Sequence, residues 1–373
     1  MLNFKYRIYP TKKQERIMNQ WLDECRWLYN HFLEERKNSW EQEKRSINYH
    51  SQAVSIPKLK KERQTLQGIH SQVLQNVAIR IDLAFKAFFH RVKASEKPGY
   101  PRFRGKGRYD SFTFPQVGFD ITEQGLKLSK IGTTKIKLHR QPENIKTCTI
   151  RRSATGKWVA IFSCTVEPKI LPESNKTIGI DVGIESFATF SDGSKIENPH
   201  FFKKEEKALV KAQKKLSKLE KGTPIREKAK KIVSRIHERI ANRRNNFCHQ
   251  EARKLVNRFG IICIEDLNIN KMKESNFRSI NRSIGDVAWG QFAQYLSYKA
   301  ENAGRKLVKI NPAYTSQTCS KCGYRQVKKL SDRVHHCSSC GFEIDRDHNA
   351  SINILRLGLQ SLGNQSVEAV CFS

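Results

Sequence analysis

Apolar and polar positions alternate along LNFKYRIY, residues 2–9, which predicts a strand ended by Pro10 and Thr11. Thr11 can cap a helix, with Gln14 three residues on at capping-box spacing. Ile17, Trp21, Cys25, Leu28 and Phe32 then recur at steps of three or four, an amphipathic helix whose aromatic stripe reads as core. A second helical stretch spans about 71–94, with Val73, Val77, Ile81, Phe85, Phe88 and Phe89. Between 119 and 168, short alternating runs such as TTKIKL, KTCTIRRS and KWVAIFSCTVE predict a small antiparallel sheet that pairs with the N-terminal strand. ESNK, 173–176, reads as a linker. TIGIDVG then opens a new unit: strand 177–182, strand 186–190, the turn Ser191-Asp192-Gly193 and a third short strand. Residues 201–257 are charged and helical, broken at Gly222-Thr223-Pro224 into a hairpin. FGIICIEDL, 259–267, reads as a buried strand, 286–305 as a helix and KLVKI, 306–310, as a strand. A last helix opens at DRDHNASINILRLG, and the tail from Leu359 has no pattern. No internal repeat is visible.

At roughly 100–200 residues per domain, 373 residues make two or three domains. A hydrophobic content of 38% excludes global disorder. Charge changes the picture more. Lys plus Arg number 69 against 36 Asp plus Glu, a net +33, and such a field favours a polyanion. Nucleic acid fits better than an anionic membrane surface, because the basic residues lie in folded segments with aromatics among them. The run GYPRFRGKGRYDSFTFP brings guanidinium groups and rings together, so Tyr100, Arg102, Arg104 and Lys106 are candidate nucleic-acid contacts. The charge of 201–257 is one-signed, as in KAQKKLSKLEKG and REKAKK, which adds Arg243 and Arg244. MLNFKYRIYP is no signal peptide, and no stretch approaches the ~20 apolar residues of a membrane span. A cytoplasmic, nucleoid-associated protein is expected.

Six of the ten cysteines, Cys25, Cys148, Cys164, Cys248, Cys263 and Cys371, are isolated and read as small buried side chains. The other four form Cys319-Ser-Lys-Cys322-Gly and Cys337-Ser-Ser-Cys340-Gly, separated by 337 − 322 − 1 = 14 residues. Two such knuckles supply four thiolates to one tetrahedral zinc, in a closed and therefore structural site. The gap is one short of the usual range of about 15–20 residues. His335 and His336 are possible substitute ligands, but read as surface or nucleic-acid-facing residues.

Asp181 lies in IGIDVG, where an acid among apolar strand residues is costly unless paired or bound to metal. Glu265 ends the apolar strand IICIED, and Asp345 and Asp347 open the last helix. Asp345 is also a natural helix cap, and Asp266 a turn residue. Two strand-end acids and one helix-start acid can converge on magnesium or manganese, which take oxygen ligands. Strand-Asp, hairpin meander, later strand-Glu and helix-Asp is the order of an RNase H-like sheet. Cys340 precedes Asp347 by seven residues (347 − 340), so the ribbon must sit at the rim of this site.

IGIDVGIESFATFSDG, IEDLNI, TSQTCSKCG and CSSCGFEIDRDHNASINI, in that order over most of 170–358, resemble TnpB. TnpB is the insertion-sequence-encoded nuclease family related to type V CRISPR effectors. FKYRIYPTKKQ and the GYPRFRGKGRYDSFTFP segment resemble it less distinctively. The resemblance implies a multidomain α+β protein. Its parts are a small β-barrel-like wedge domain (1–10 and 96–172) with an inserted helical recognition domain (11–95), then an RNase H-like (RuvC) nuclease domain (173–310 and 343–358). A zinc ribbon (311–342) interrupts the nuclease domain, and a tail (359–373) follows. It implies Asp181, Glu265 and Asp347 as catalytic, magnesium-binding residues. Asp347 is preferred to Asp345 because the family's relatives keep the acid nearest to Asn-Ala. Arg333 matches a basic position near the scissile phosphate. The resemblance further implies a guide RNA transcribed beside the gene, double- and single-stranded target DNA, and cleavage next to a short flanking motif. One protein per RNA is expected, with a dimer possible. The alternatives are a nuclease-inactive RNA-guided repressor, which would lack a carboxylate, a compact CRISPR effector, and a strand-joining transposase.

Overall fold

A computed structural model of the chain describes residues 1–274, 277–328 and 332–363, with the backbone alone at positions 270 and 278. It divides into two units, Met1–Val166 and Glu167–Ser373.

The first unit begins with β1 (Leu2–Tyr9), followed by α1 (Lys12–Glu43), α2 (Tyr49–Glu62) and α3 (Ser71–Lys93). Strands β2 (Ser111–Phe114), β3 (Phe119–Thr122), β4 (Gly125–Leu128), β5 (Gly132–Lys137), β6 (Ile145–Arg152) and β7 (Trp158–Cys164) complete it. They form one antiparallel sheet in the order β2-β6-β7-β1-β5-β4-β3, so the N-terminal strand is central. The capping box forms as expected: Thr11 Oγ1 accepts from Gln14 N, and the Gln14 side chain accepts from Thr11 N. The stripe expected to be core is core, since Trp21, Cys25, Leu28 and Phe32 are buried with Phe112, Phe114, Trp158 and Phe162 of the sheet. Helix α2 went unpredicted. Only Gln52, Ile56 and Leu59 are buried along its 14 residues, and Pro57 inside it reads as a breaker.

The second unit contains β8 (Thr177–Asp181), β9 (Ser186–Phe190), β10 (Lys195–Glu197), α4 (Phe201–Ser217), α5 (Pro224–Arg258) and β11 (Ile261–Glu265). Helices α6 (Ile269–Glu274), α7 (Arg278–Val287) and α8 (Trp289–Asn302) lead to β12 (Lys306–Ile310). The hairpin β13 (Val334–His336) and β14 (Glu343–Asp345) precedes α9 (Arg346–Ser361). The five-stranded sheet has the order β10-β9-β8-β11-β12, an antiparallel meander followed by β11 and β12 parallel to β8. Two expectations are corrected. The helix read over 286–305 is two helices, parted at Ala288, whose φ is +60°. The last helix continues past Leu359, which is buried, to Ser361. Cys371 lies outside the described residues. Among the described residues no helix is long and apolar enough to cross a membrane.

Strand alternation divides this sheet between two layers. Ile178, Ile180, Ile262 and Ile264 pack with Ala252 and Val256 of α5 and Phe292 and Leu296 of α8. Cys263 packs on the opposite face with Ile354 and Leu355 of α9. That approach is close enough to require glycine on both sides. A Cβ on Gly179 would lie 2.1 Å from the Ser351 carbonyl oxygen, and one on Gly358 would lie 2.3 Å from the Cys263 sulfur. Gly179→Ala should therefore cost about 1–3 kcal/mol through overpacking. Gly68→Ala, where nothing lies within 4 Å of the added methyl, should be near neutral. Urea midpoints at unchanged slope check both, and equal midpoints would refute the close-approach account.

Candidate active site and metal centre

Asp181 and Glu265 are the last residues of the neighbouring parallel strands β8 and β11, whose register pairs Ile180 with Ile264. Both acids have the parity of Gly179 and Cys263, so both belong to the α9 face. Asp347 stands in the first turn of α9. An added Cβ on Gly183, just beyond β8, would lie 4.0 Å from Asp347 Oδ2. Three elements thus bring the three predicted acids to one end of one face.

Their electrostatics differ in kind. Asp181 is partly exposed at its strand end yet densely surrounded by protein. Burial, followed by the charges of Glu265 and Asp347, pushes its carboxyl well above the usual range, and Arg346 opposes this. Glu265 is also pushed up by burial, while the Thr315 hydroxyl, donating to Oε1 at 2.6 Å, works the other way. Asp347 Oδ1 accepts from Arg346 Nε at 3.1 Å and from its terminal nitrogen at 3.0 Å. Asp345 is different. Burial acts to raise it, but Lys195 at 2.9 Å and the backbone N–H groups of His348 and Asp347 hold it below its ordinary value. It is the satisfied N-cap of α9. Asp266, the expected turn residue, is exposed and pairs with Lys309 at 3.4 Å.

The four cysteines meet. Their sulfurs all lie within 4.8 Å of one another, the one such group of metal-ligand atoms among the described residues. Cys319 and Cys340 are 3.8 Å apart and Cys322 and Cys337 are 3.6 Å apart. Tetrahedral Zn–S bonds of about 2.3 Å require sulfurs about 3.8 Å apart, so the donor set fits the ion. Each knuckle closes with a glycine in the left-handed region, Gly323 at φ +77° and Gly341 at φ +70°. Their amides donate to the Cys319 and Cys337 carbonyls. His335, expected at the surface, is instead fully buried in β13, and burial disfavours its protonation. His336, its neighbour on the other strand face, is exposed.

The remaining candidates lie in both units. Arg333 is exposed and pairs with Glu185, in the loop after β8, at 2.8 Å. Tyr100 is 45% exposed and stacks edge-on against Phe85 and Phe88. Arg102, Arg104 and Lys106 are exposed, with the Arg104 guanidinium over the Tyr29 ring. Arg243 binds Glu205, and Arg244 binds Asp286 at 2.8 Å with only 21% of its side chain exposed. These two arginines hold α5 to α4 and to α7. A cavity of about 270 Å³ opens beside Glu265, between Val182, Trp289, Gln294, Ser297 and Lys309. Sequence reasoning missed Thr315 and Lys195, whose partners are set by the fold, and Arg346, which bonds its neighbour Asp347; Thr315 and Glu265 are 50 residues apart.

The raised acid at Asp181 has a thermodynamic sign. At low pH it is neutral in both the folded and the unfolded chain. As pH rises through the ordinary carboxylate range of about 4, the unfolded chain ionises first and stability falls. The loss is complete above the raised folded value. Asp181→Asn should therefore raise the melting temperature of the metal-free protein at neutral pH, by about 2–4 °C per kcal/mol relieved. The gap should close towards pH 4. A variant no more stable than wild type at pH 7 would contradict this.

Comparison with known proteins places these features in a family. The model described as "Probable transposase" matches residues 162–276, and a Cas12f1-like TNB domain model matches 289–354. A helix-turn-helix model matches residues 1–45, which here fold as β1 and the single long helix α1. The "Putative RNA-guided DNA endonuclease" of Streptomyces pristinaespiralis is 33% identical over 95% of this chain and 89% of its own. The "Putative RNA-guided DNA endonuclease InsQ" of Escherichia coli (strain K12) is 30% identical over 95% of this chain and 92% of its own. The TnpB-like protein L79 of Acanthamoeba polyphaga mimivirus is 25% identical over 95% of this chain and 73% of its own. The chain belongs to the TnpB family of insertion-sequence RNA-guided DNA endonucleases.

Proposed function

We propose that this protein is an RNA-guided DNA endonuclease of RuvC type, in which Asp181, Glu265 and Asp347 hold magnesium or manganese and direct hydrolysis of a DNA phosphodiester. The observation that carries this reading is a group of three acids at one sheet end whose charge Arg346 only partly offsets. Two of the acids are pushed up by burial, and Arg346 is the cation that opposes the charge at Asp181. Such a group is unfavourable unless a cation completes it. The meander followed by parallel strands, with α9 on one face, supports an RNase H-like sheet. The relatives' names support the RNA guide, and the charge of +33 supports two polyanionic partners.

Bound divalent metal supplies an activated water and stabilises the leaving oxygen. The chain's own residues do the rest. Asp181, which feels the charge of both other acids, would hold the ion together with Glu265 and Asp347. Arg346 restrains Asp347 through two bonds to one oxygen, which leaves Oδ2 available. Arg333 and Glu185 are both exposed, so their ion pair is weak and exchangeable for a phosphate. A single strand of DNA would reach these acids from the α9 face of the sheet, opposite the cavity lined by Trp289 and Gln294 of α8. The four cysteines would hold one structural zinc, making a rigid module next to α9 that guides that strand.

Purification with co-expressed RNA, sequencing of that RNA and incubation with a matched target and magnesium test the reading. Cleavage is expected next to a flanking motif. Asp181→Ala should reduce it by at least about 10²–10³-fold, the scale for losing one electrostatic group at a transition state, while RNA and target binding persist. Loss of binding together with cleavage would make Asp181 structural. Metal analysis should find one zinc per chain. Cys337→Ser should lose the ion and lower the melting temperature, and an equal zinc content in the variant would refute the four-thiol site.

A further inference from the structure

Helix α9 carries two fully buried carboxamides one turn apart, Asn349 and Asn353. Both hold the loop that runs from β12 into the first cysteine knuckle. Asn353 Nδ2 donates to the Thr315 carbonyl at 2.9 Å and to the Thr318 carbonyl at 2.7 Å. Asn349 Nδ2 donates to the Thr318 carbonyl at 2.8 Å, and its Oδ1 accepts from Ser320 N at 2.9 Å. Asn353 Oδ1 accepts from Arg356 at 2.7 Å, so both amides use their oxygen and an N–H. Buried polar groups are costly unless satisfied, and satisfied ones fix a unique geometry.

What they fix is Thr315. This residue is buried at 5% exposure, and its hydroxyl donates to Glu265 Oε1 at 2.6 Å. The alternative acceptor, the Pro312 carbonyl, is farther at 3.3 Å. One bond to Oε1 sets the plane of the carboxylate and leaves Oε2 without that donor. Helix α9 therefore governs two of the three acids by different routes. It bears Asp347 directly, and it orients Glu265 through a clamped loop and one hydroxyl.

We infer that Thr315 is a positioning residue for the divalent-metal site, presenting Glu265 to the ion, with Asn349 and Asn353 holding it in place. The inference rests on the reading of Glu265 as a metal ligand. Groups that hydrogen-bond to ligands tune affinity by about 10–100-fold when removed. The hydroxyl has an isosteric control, because valine keeps the shape of threonine without the donor and serine keeps the donor without the methyl.

The test uses the full-length protein with its guide RNA. Mn²⁺ binding is measured by electron paramagnetic resonance, alongside the Mg²⁺ concentration for half-maximal cleavage and the zinc content. Thr315→Val is expected to weaken Mn²⁺ binding and raise the Mg²⁺ requirement about tenfold or more. Excess metal should restore cleavage, at unchanged zinc content. Thr315→Ser should stay close to wild type. Unchanged Mn²⁺ affinity in T315V overturns the inference. A loss that T315S shares overturns it too, because the effect would then come from loop packing and not from the hydroxyl. Glu265→Gln separates the two readings. If E265Q weakens Mn²⁺ and T315V does not, only the positioning role fails. If E265Q binds Mn²⁺ as wild type does, the assignment of the nuclease site itself fails.

Discussion

The distance between α9 and the five-stranded sheet governs the site. It is set where side chains are missing, at Gly179 on β8 and Gly358 on α9. Without those two methyl-free contacts the helix would ride higher, and everything attached to it would move as a body. Asp347 would leave the ends of β8 and β11. The carboxamides of Asn349 and Asn353 would pull the Thr315 loop with them. Close-packed interiors transmit such shifts instead of absorbing them. The glycine in IGID is therefore as necessary to the site as the aspartate two residues later.

The distribution of charge has a second order beneath the +33 total. Elsewhere among the described residues buried acids are matched. Arg239 and Arg243 hold Glu205, Arg244 holds Asp286 and Arg63 holds Glu24. Asp345, which could have joined the cluster, is matched by Lys195 and two backbone amides. Against that background the carboxylates at the sheet end stand apart, with burial raising two of them. A basic surface gathers a polyanion, while an acidic centre repels phosphate until a cation lies between them.

Much of this was legible from residues alone, for local reasons. The Thr11–Gln14 box needs only a three-residue spacing, and the knuckles need only Cys-x-x-Cys-Gly. The apolar runs ending in Asp181 and Glu265 announce buried strands. The preference for Asp347 over Asp345 came from resemblance, and the structure supplies a physical reason in the capping role of Asp345. What escaped depended on distant partners. No spacing rule marks Thr315 as the donor to Glu265, or Asn353 as the clamp on its loop. His335 and His336 are chemically alike in sequence, and only strand parity buries one and exposes the other. Arg243 and Arg244 also pair with acids 38 and 42 residues away, which no local spacing marks.

The central place of β1 in the first sheet carries a consequence for biosynthesis. β1 pairs with β7 from Leu2 opposite Cys164 to Ile8 opposite Trp158, and with β5 on its other edge. Its main partner is translated 158 − 8 = 150 residues after it. At about 5–20 residues per second, that leaves the β7 edge of this strand open for roughly 8–30 s, and the β5 edge for somewhat less. Pairings of such long sequence separation are also slow to form. The intervening helices can collapse against one another early, but the sheet they rest on is incomplete until β7 arrives. Nascent chains stalled before residue 158 would expose the β7 edge of β1 to chaperones or to one another, so translation speed bears on the yield of this unit.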